Sequence, residues 1–332
     1  MRLVFLLLVW PLAAAGQIAI VDVAGELGID FVHENGTSPE KRLPETNGAG
    51  SAFFDWDGDG DQDLYVTNFG RNVLYINNGN GTFSDGTAAS GTGTPFWSSS
   101  ACFADINGDG LLDLYVANYL LYDSRVHKAC SSSRKQTPSY CHPNKYDGAP
   151  DSLYLNSGGG RFEDISRAAG IAVRGRILSK GLGVLPTDFD SDGDIDFLVA
   201  NDSVPNFLWR NLGGGKFEDA ALEAGVALNT TGSPEACMGV DGGDVNGDGL
   251  QDYFLTNFSE ETDTLFFGEG DGFFDDNTLR SGLGKPTFDP LGFGTRLFDY
   301  DLDGDLDIYV TRGHILSLIH ISEPTRLGMS SY

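Results

Sequence analysis

The chain has 332 residues, a formal net charge of −27 and 45 glycines. With 40% of its residues apolar it can bury a large core, so it is not a disordered acidic tail. Such a charge repels phosphate, which excludes nucleic acid as a partner and favours divalent cations.

Residues 1–15 read MRLVFLLLVWPLAAA, with a basic Arg2, an apolar stretch over 3–12 and a small-residue end at Ala13, Ala14 and Ala15. That pattern predicts a secretory signal peptide and an exported chain starting near Gly16. No cysteine lies near the cleavage site, so no lipid anchor is expected there, and no later stretch is long enough for a transmembrane helix. Residues 16–50 form a lead segment in which Ile18, Ala19, Ile20 and Val21 can supply a strand. From there to residue 315 the chain is a repeat.

The repeat is marked by a nine-residue acidic loop, D-x-[DN]-x-D-G-x-x-D, at residues 55–63, 105–113, 188–196, 244–252 and 299–307. Successive loops start 50, 83, 56 and 55 residues apart, and the long spacing holds an insertion at 119–150. Before each loop comes a strand with small residues on one face. Gly48, Ser98, Gly181, Cys237 and Gly292 stand seven residues before the first Asp. Gly50, Ser100, Gly183, Gly239 and Gly294 stand five before it. Small residues at alternate strand positions allow another backbone to come close. After each loop comes a β-branched and aromatic strand, as in Leu64-Tyr65-Val66 and Phe197-Leu198-Val199. A third strand, a glycine-rich turn such as 78–81 or 158–160, and a fourth strand holding Phe83, Phe162, Phe217 or Phe274 complete the unit. Four short strands in about 50 residues predict an all-β fold, a β-propeller with four-stranded blades, about five of them here. Helix is expected only as single turns near 165–169 and 220–225.

Within each loop, alternate positions converge when the chain curls round an ion, and hard oxygen ligands suit Ca²⁺ better than Mg²⁺. The candidate ligands at the first position are Asp55, Asp105, Asp188, Asp244 and Asp299. At the third they are Asp57, Asn107, Asp190, Asn246 and Asp301, and at the fifth Asp59, Asp109, Asp192, Asp248 and Asp303. At the ninth they are Asp63, Asp113, Asp196, Asp252 and Asp307. The glycine at the sixth position permits the sharp turn, and the seventh can offer a carbonyl. An EF-hand begins the same way but closes on Glu at its twelfth position. Here that position is Val66, Val116, Val199, Leu255 and Val310, so the EF-hand is rejected. About five Ca²⁺ sites are expected, structural in role, each pinning the turn between the first two strands of a blade.

These loops resemble the FG-GAP/VCBS repeats of integrin-type propellers. More narrowly, the chain is similar to the cartilage-acidic-protein/UnbV group of secreted repeat proteins. The narrower likeness rests on Gly28-Ile29-Asp30-Phe31-Val32-His33, on Leu43-Pro44-Glu45-Thr46-Asn47-Gly48, and on Tyr140-Cys141-His142-Pro143 through to Asp151-Ser152-Leu153-Tyr154. It implies a seven-bladed propeller and adhesion or other extracellular interaction. The repeat breaks at Leu316, and residues 316–332 read as a non-native tail, the translation of a sequencing adapter in frame with a shortened chain.

Cys130 and Cys141, eleven residues apart in an exported chain, predict a disulfide that closes the insertion. Cys102 and Cys237 fall in strand patterns and are expected as buried thiols. The histidines His33, His127, His142, His314 and His320 do not cluster in sequence, and no nucleophile motif or phosphate loop stands out. His142 reads as a loop residue and Glu45 as a structural contact. Asn35, Asn80, Asn201, Asn229 and Asn257 sit in N-x-S/T sequons, with Asn80 in a hairpin turn. The functional expectation is a secreted calcium-binding propeller for extracellular protein or glycan partners, with the insertion as the partner-facing surface. The alternative is a polysaccharide lyase or hydrolase on the same scaffold.

Overall fold

The computed structural model describes residues 24–29, 38–126, 128–131, 138–172 and 179–313. The signal peptide expected over 1–15, the strand expected over 18–21, Asn35, four of the histidines (33, 127, 314 and 320) and residues 316–332 lie outside the described residues.

Four antiparallel four-stranded sheets follow one another along the chain, the arrangement of propeller blades. The first contains β1 (Ser51–Phe54), β2 (Asp63–Val66), β3 (Val73–Asn77) and β4 (Phe83–Asp85). The second contains β5 (Ser98–Ala104) and β6 (Asp113–Asn118), then β9 (Ser152–Asn156) and β10 (Phe162–Asp164). Between β6 and β9 the insertion forms a separate short pair, β7 (Cys130–Ser131) and β8 (Pro138–Ser139), joined by the Cys130–Cys141 disulfide. The third runs β11 (Gly181–Thr187), β12 (Asp196–Asn201), β13 (Phe207–Asn211) and β14 (Phe217–Asp219). The fourth runs β15 (Val240–Gly243), β16 (Asp252–Leu255), β17 (Thr264–Gly270) and β18 (Phe273–Asp276). β19 (Leu291–Phe298) and β20 (Asp307–Gly313) pair as a fifth, two-stranded sheet. Among the described residues α-helix is confined to single turns: the expected Ser166–Ala169 and Ala221–Ala224, and also Thr87–Ser90 and Gly284–Phe288.

The core lies between sheets, and period-two alternation decides which side chain faces which neighbour. On β6, Leu114 and Val116 pack toward the first sheet, while Tyr115 and Ala117 pack toward the third. On β12, Phe197 and Val199 face the second sheet and Leu198 and Ala200 face the fourth. Strands covered on both faces are buried throughout, which is why their central residues, Leu114-Tyr115-Val116-Ala117 and Phe197-Leu198-Val199-Ala200, are apolar or aromatic between a terminal Asp and Asn. The outer face of the first sheet is covered by Ile29 of the lead segment.

The small-residue strands come together as expected, each first strand packed beside the next. A Cβ on Gly183 would lie 2.6 Å from the Met238 carbonyl oxygen, and one on Gly239 would lie 2.2 Å from that of Phe293. Gly48, Ser100, Gly183, Gly239 and Gly294 line a cavity of about 340 Å³ among these strands. Cys102 lies in β5 and is half-buried; Cys237 is buried but stands just ahead of β15, not within it.

Residues at equivalent positions meet at each junction between sheets, as a side-chain relay at the first two. Asn72 donates to the Ser98 hydroxyl at 3.0 Å, and Ser98 donates to Asn118 Oδ1 at 2.7 Å. At the next junction Ser179 stands against Asp151 and donates to Asn201 at 3.0 Å. At the third, Cys237 lies against Asn206, and Asn257 Oδ1 is left without a partner among the described residues. At the fourth, Arg312 replaces the asparagine and pairs directly with Asp263 at 2.6 Å, over Gly292. The buried Asn201 and Asn257 are thus committed inside the fold and are not glycan acceptors, whereas Asn80 is exposed.

Asp151 supplies a test of this relay. Burial pushes its carboxyl up to about 7, against the lowering effect of the Asn118 N–H and the Tyr115 and Ser179 hydroxyls. Between about pH 4 and that value the folded chain holds a proton the unfolded chain has released, so stability falls as pH rises. Asn72 holds the same place in the first sheet, accepting from the Asn68 N–H and donating to the Tyr65 hydroxyl. Asp151→Asn is therefore expected to stabilise by on the order of 2 kcal/mol at pH 8 and by almost nothing at pH 4. Denaturant midpoints at the two pH values measure this; equal shifts at both would refute it.

Candidate metal centres

Each acidic loop joins the first strand of a sheet to the second, and its backbone is bent by its own carboxylates. The first Asp accepts from the glycine N–H at the sixth position in all five loops, at 3.0, 2.8, 3.1, 2.8 and 3.0 Å. That glycine has a positive φ every time, from 85° to 100°. The fourth position is also left-handed: glycine in three loops, but Ser191 at 60° and Leu302 at 64° in the others. Both non-glycine residues hold a conformation that costs about 1 kcal/mol.

The ninth Asp works differently. Asp63, Asp113, Asp196 and Asp252 are buried, and each accepts two backbone N–H groups. One comes from the second residue of its own loop: Trp56 at 2.6 Å, Ile106 at 3.1 Å, Phe189 at 3.2 Å and Val245 at 2.8 Å. The other comes from the third strand: Asn77, Asn156 and Asn211 at 2.7 Å each, and Gly268 at 2.9 Å. In the fifth loop Asp307 makes, among the described residues, only the first bond, from Tyr300 at 2.9 Å. The ninth carboxylate thus ties loop, second strand and third strand together. Sequence reading missed the second position; its signal is an apolar residue inside an acidic loop, Trp56, Ile106, Phe189, Val245 or Tyr300.

Carboxylate oxygens converge within 4.8 Å of one another in three clusters: Asp55, Asp57 and Asp63; Asp188, Asp190 and Asp196; and Asp299, Asp301 and Asp303. The second and fourth loops carry Asn107 and Asn246 at the third position, so each brings one carboxylate fewer. Asn107 there donates to Asp109 at 3.0 Å. Burial raises Asp113 to about 6 and Asp196 to about 7, and the nearby loop aspartates push the same way. Burial also lifts Asp63 and Asp252 above the ordinary range. Asp105 goes the other way: burial raises it, but four backbone N–H bonds outweigh that and hold it low.

These donors fit a hard cation. The test case is Asp190, whose Oδ1 is cut off from solvent and has no hydrogen-bond partner among the described residues. Its other oxygen pairs with Arg210 at 3.2 Å, a local counter-charge in the third loop. A cation among Asp188, Asp190 and Asp196 would satisfy the free oxygen and reverse the pressure to protonate.

A family model described as an FG-GAP-like repeat matches residues 55–116, 188–255 and 244–310, together more than half the chain. The chain belongs to the FG-GAP-like repeat family. Each match begins on the first Asp of a loop and ends inside the second strand of a sheet, so the FG-GAP unit spans an acidic loop at each end. No curated protein matches the chain.

Several solved structures are similar to it. An Agrocybe aegerita lectin described as recognising non-reducing terminal N-acetylglucosamine is 18% identical, covering 79% of this chain and 60% of its own, with a TM-score of 0.41. The V. cholerae biofilm matrix protein Bap1 is 14% identical over 80% of this chain and 34% of its own, with a TM-score of 0.39. A Bacillus licheniformis rhamnogalacturonan lyase is 11% identical over 81% of this chain and 57% of its own, also at 0.39. The FG-GAP chain spans less than two thirds of each.

The remaining sequence-singled residues have plain roles. Glu45 accepts from the Ser38 hydroxyl at 2.6 Å, the Arg42 N–H at 3.0 Å and the Tyr140 hydroxyl at 3.2 Å, tying the lead segment to the insertion. His142 caps a short turn by accepting from the Asn144 N–H at 3.2 Å. Among the described residues no helix is long and apolar enough to cross a membrane.

Proposed function

We propose that the chain is a secreted calcium-binding β-propeller of the cartilage-acidic-protein/UnbV group, serving extracellular protein or glycan interaction. Calcium occupies the five loops in a structural role, held by their first, third, fifth and ninth residues. The lead segment spans 16–50 and the repeats 51–315, with the 119–150 insertion facing the partner. The observation that carries the reading is the ninth aspartate. It is buried in four loops and accepts one N–H from its own loop and one from the third strand, so ion binding there acts on the blade framework. Export is supported by the signal-like residues 1–15 and by the disulfide.

The test is retention of the purified chain on immobilised extracellular polysaccharides and matrix proteins, in calcium and after chelation. The expected result is saturable, calcium-dependent retention with the polymer left intact. Release of shortened oligosaccharides would establish the enzyme reading instead, and no retention on any surface would sink the interaction reading.

A further inference from the structure

The insertion runs against the charge of the chain. Residues 119–150 contain five Lys or Arg and two Asp, in a chain whose net charge is −27. Three of those cations, Arg125, Lys128 and Lys145, are described and all are exposed. They lie at the opposite end of the sheets from the acidic loops. The loop opens each second strand at Asp63 or Asp113, and the strand ends at Val66 or Asn118 before the chain reaches Phe69 or Tyr119.

At this end four aromatic rings form one contiguous cluster. Phe69 meets Trp97 at 5.6 Å and Tyr122 at 5.7 Å, and Tyr122 meets Tyr146 at 5.3 Å. Trp97 is buried beneath, while Phe69 is 47% exposed. Cations border the rings: Lys128 Nζ stands 4.4 Å from the Tyr146 centroid, and Lys41 Nζ stands 5.5 Å from that of Tyr140. Arg42 bridges lead and insertion by donating to the Ser124 carbonyl at 3.4 Å.

Two donors here are unused. The Tyr122 hydroxyl and Arg42 Nε are cut off from solvent and have no hydrogen-bond partner among the described residues. They are close enough for the Arg42 charge to act on the Tyr122 phenol. The nearest acids do not satisfy them. Glu45 is committed to Ser38, the Arg42 backbone and Tyr140, and Glu40 stands 3.9 Å from Arg42 Nε, beyond hydrogen-bond distance. The exposed Phe69 ring beside a cationic rim fits an acceptor that is flat, apolar on one face and negatively charged.

Resting on the interaction reading above, we propose that this face binds a carboxylate-bearing polysaccharide of uronic-acid type. Sugar rings lay their C–H faces on Phe69 and Tyr122, and the carboxylates meet Arg42 and Lys128. An acidic peptide would use the cations but has no need of the exposed Phe69 face, which favours the polysaccharide.

The experiment is calorimetric titration of the full chain, calcium-loaded, with three soluble probes: an oligogalacturonate, its methyl ester and an oligoglutamate. Oligogalacturonate should bind at least ~10-fold more tightly than either of the others. Phe69→Ala and Arg42→Gln should each weaken it by about tenfold, with melting temperature and calcium uptake unchanged. Equal affinity for the ester or for oligoglutamate would overturn the proposal, as would full affinity in Phe69→Ala. Should Arg42→Gln lower the melting temperature, Phe69→Ala and the ester control decide the matter, since neither touches the lead–insertion contact. If the chain instead binds another matrix polymer with Phe69 irrelevant, the proposed site fails while the interaction reading stands; no binding of any kind would remove both.

Discussion

Stripping divalent cations with excess chelator is expected to lower the melting temperature by more than about 10 °C, and added Ca²⁺ should restore it better than equal Mg²⁺. The reason lies in the number and placement of the charges. The five loops hold eighteen carboxylates at their first, third, fifth and ninth positions. Four of these, the ninth residues of the first four loops, are buried. A ligand at 100 times its dissociation constant adds about 2.7 kcal/mol per site to the folded state. Three such sites shift the midpoint by roughly 10 °C or more in a chain of this size. Differential scanning fluorimetry with and without chelator reads the effect directly. A midpoint that does not move would remove the structural role of the ion.

The second large effect is expected at Arg312. Its guanidinium reaches across a junction to Asp263, a residue with no exposed surface, at 2.6 Å. Burial raises the Asp263 carboxyl, and the Asn257 N–H and Arg312 work against that rise. Arg312→Ala removes the only cation paired with this carboxylate among the described residues, and should destabilise by roughly 3 kcal/mol. The loss should show first as faster amide exchange in β19 and β20, then as a lower denaturant midpoint. The double variant D263N/R312N imitates the Asn72 and Asn118 arrangement of the first junction and should recover most of the loss. A double variant no better than Arg312→Ala would show that the pair does not act through buried charge.

The loops and the strand order were legible in sequence because both rest on spacing. A fivefold Asp pattern and period-two apolar strands survive changes in every other residue. The close approach of the first strands was legible for the same reason, from Gly183, Gly239 and their counterparts. The relay was not. Its members change type from junction to junction: Asn72, Asp151, Asn206 and Asp263 on one side, and Ser98, Ser179, Cys237 and Gly292 on the other. Nothing in residue type announces that they share a place, and only packing brings them together. Asn201 and Asn257 misled for a related reason, since a sequon reports three residues and not whether the first is buried. The orphaned Asp190 oxygen and its Arg210 neighbour were likewise invisible, because they depend on the third strand folding back over the loop.

The relay carries a further consequence. Its four junctions read Asn–Ser–Asn, Asp–Ser–Asn, Asn–Cys–Asn and Asp–Gly–Arg, so no two junctions combine the same three residue types. The sheets share a backbone plan and could otherwise dock in any order. Seating the Arg312 edge against Asn206 would leave a guanidinium with no carboxylate, and seating the Asn257 edge against Asp263 would force that carboxyl to take up a proton, as burial drives Asp151 to do at the second junction. The wrong neighbour is rejected by unpaired charge, as a keyed connector rejects the wrong socket. A repeat protein with near-identical units thereby keeps them in sequence, and a shuffled chain with every blade intact should fold less well than the natural order.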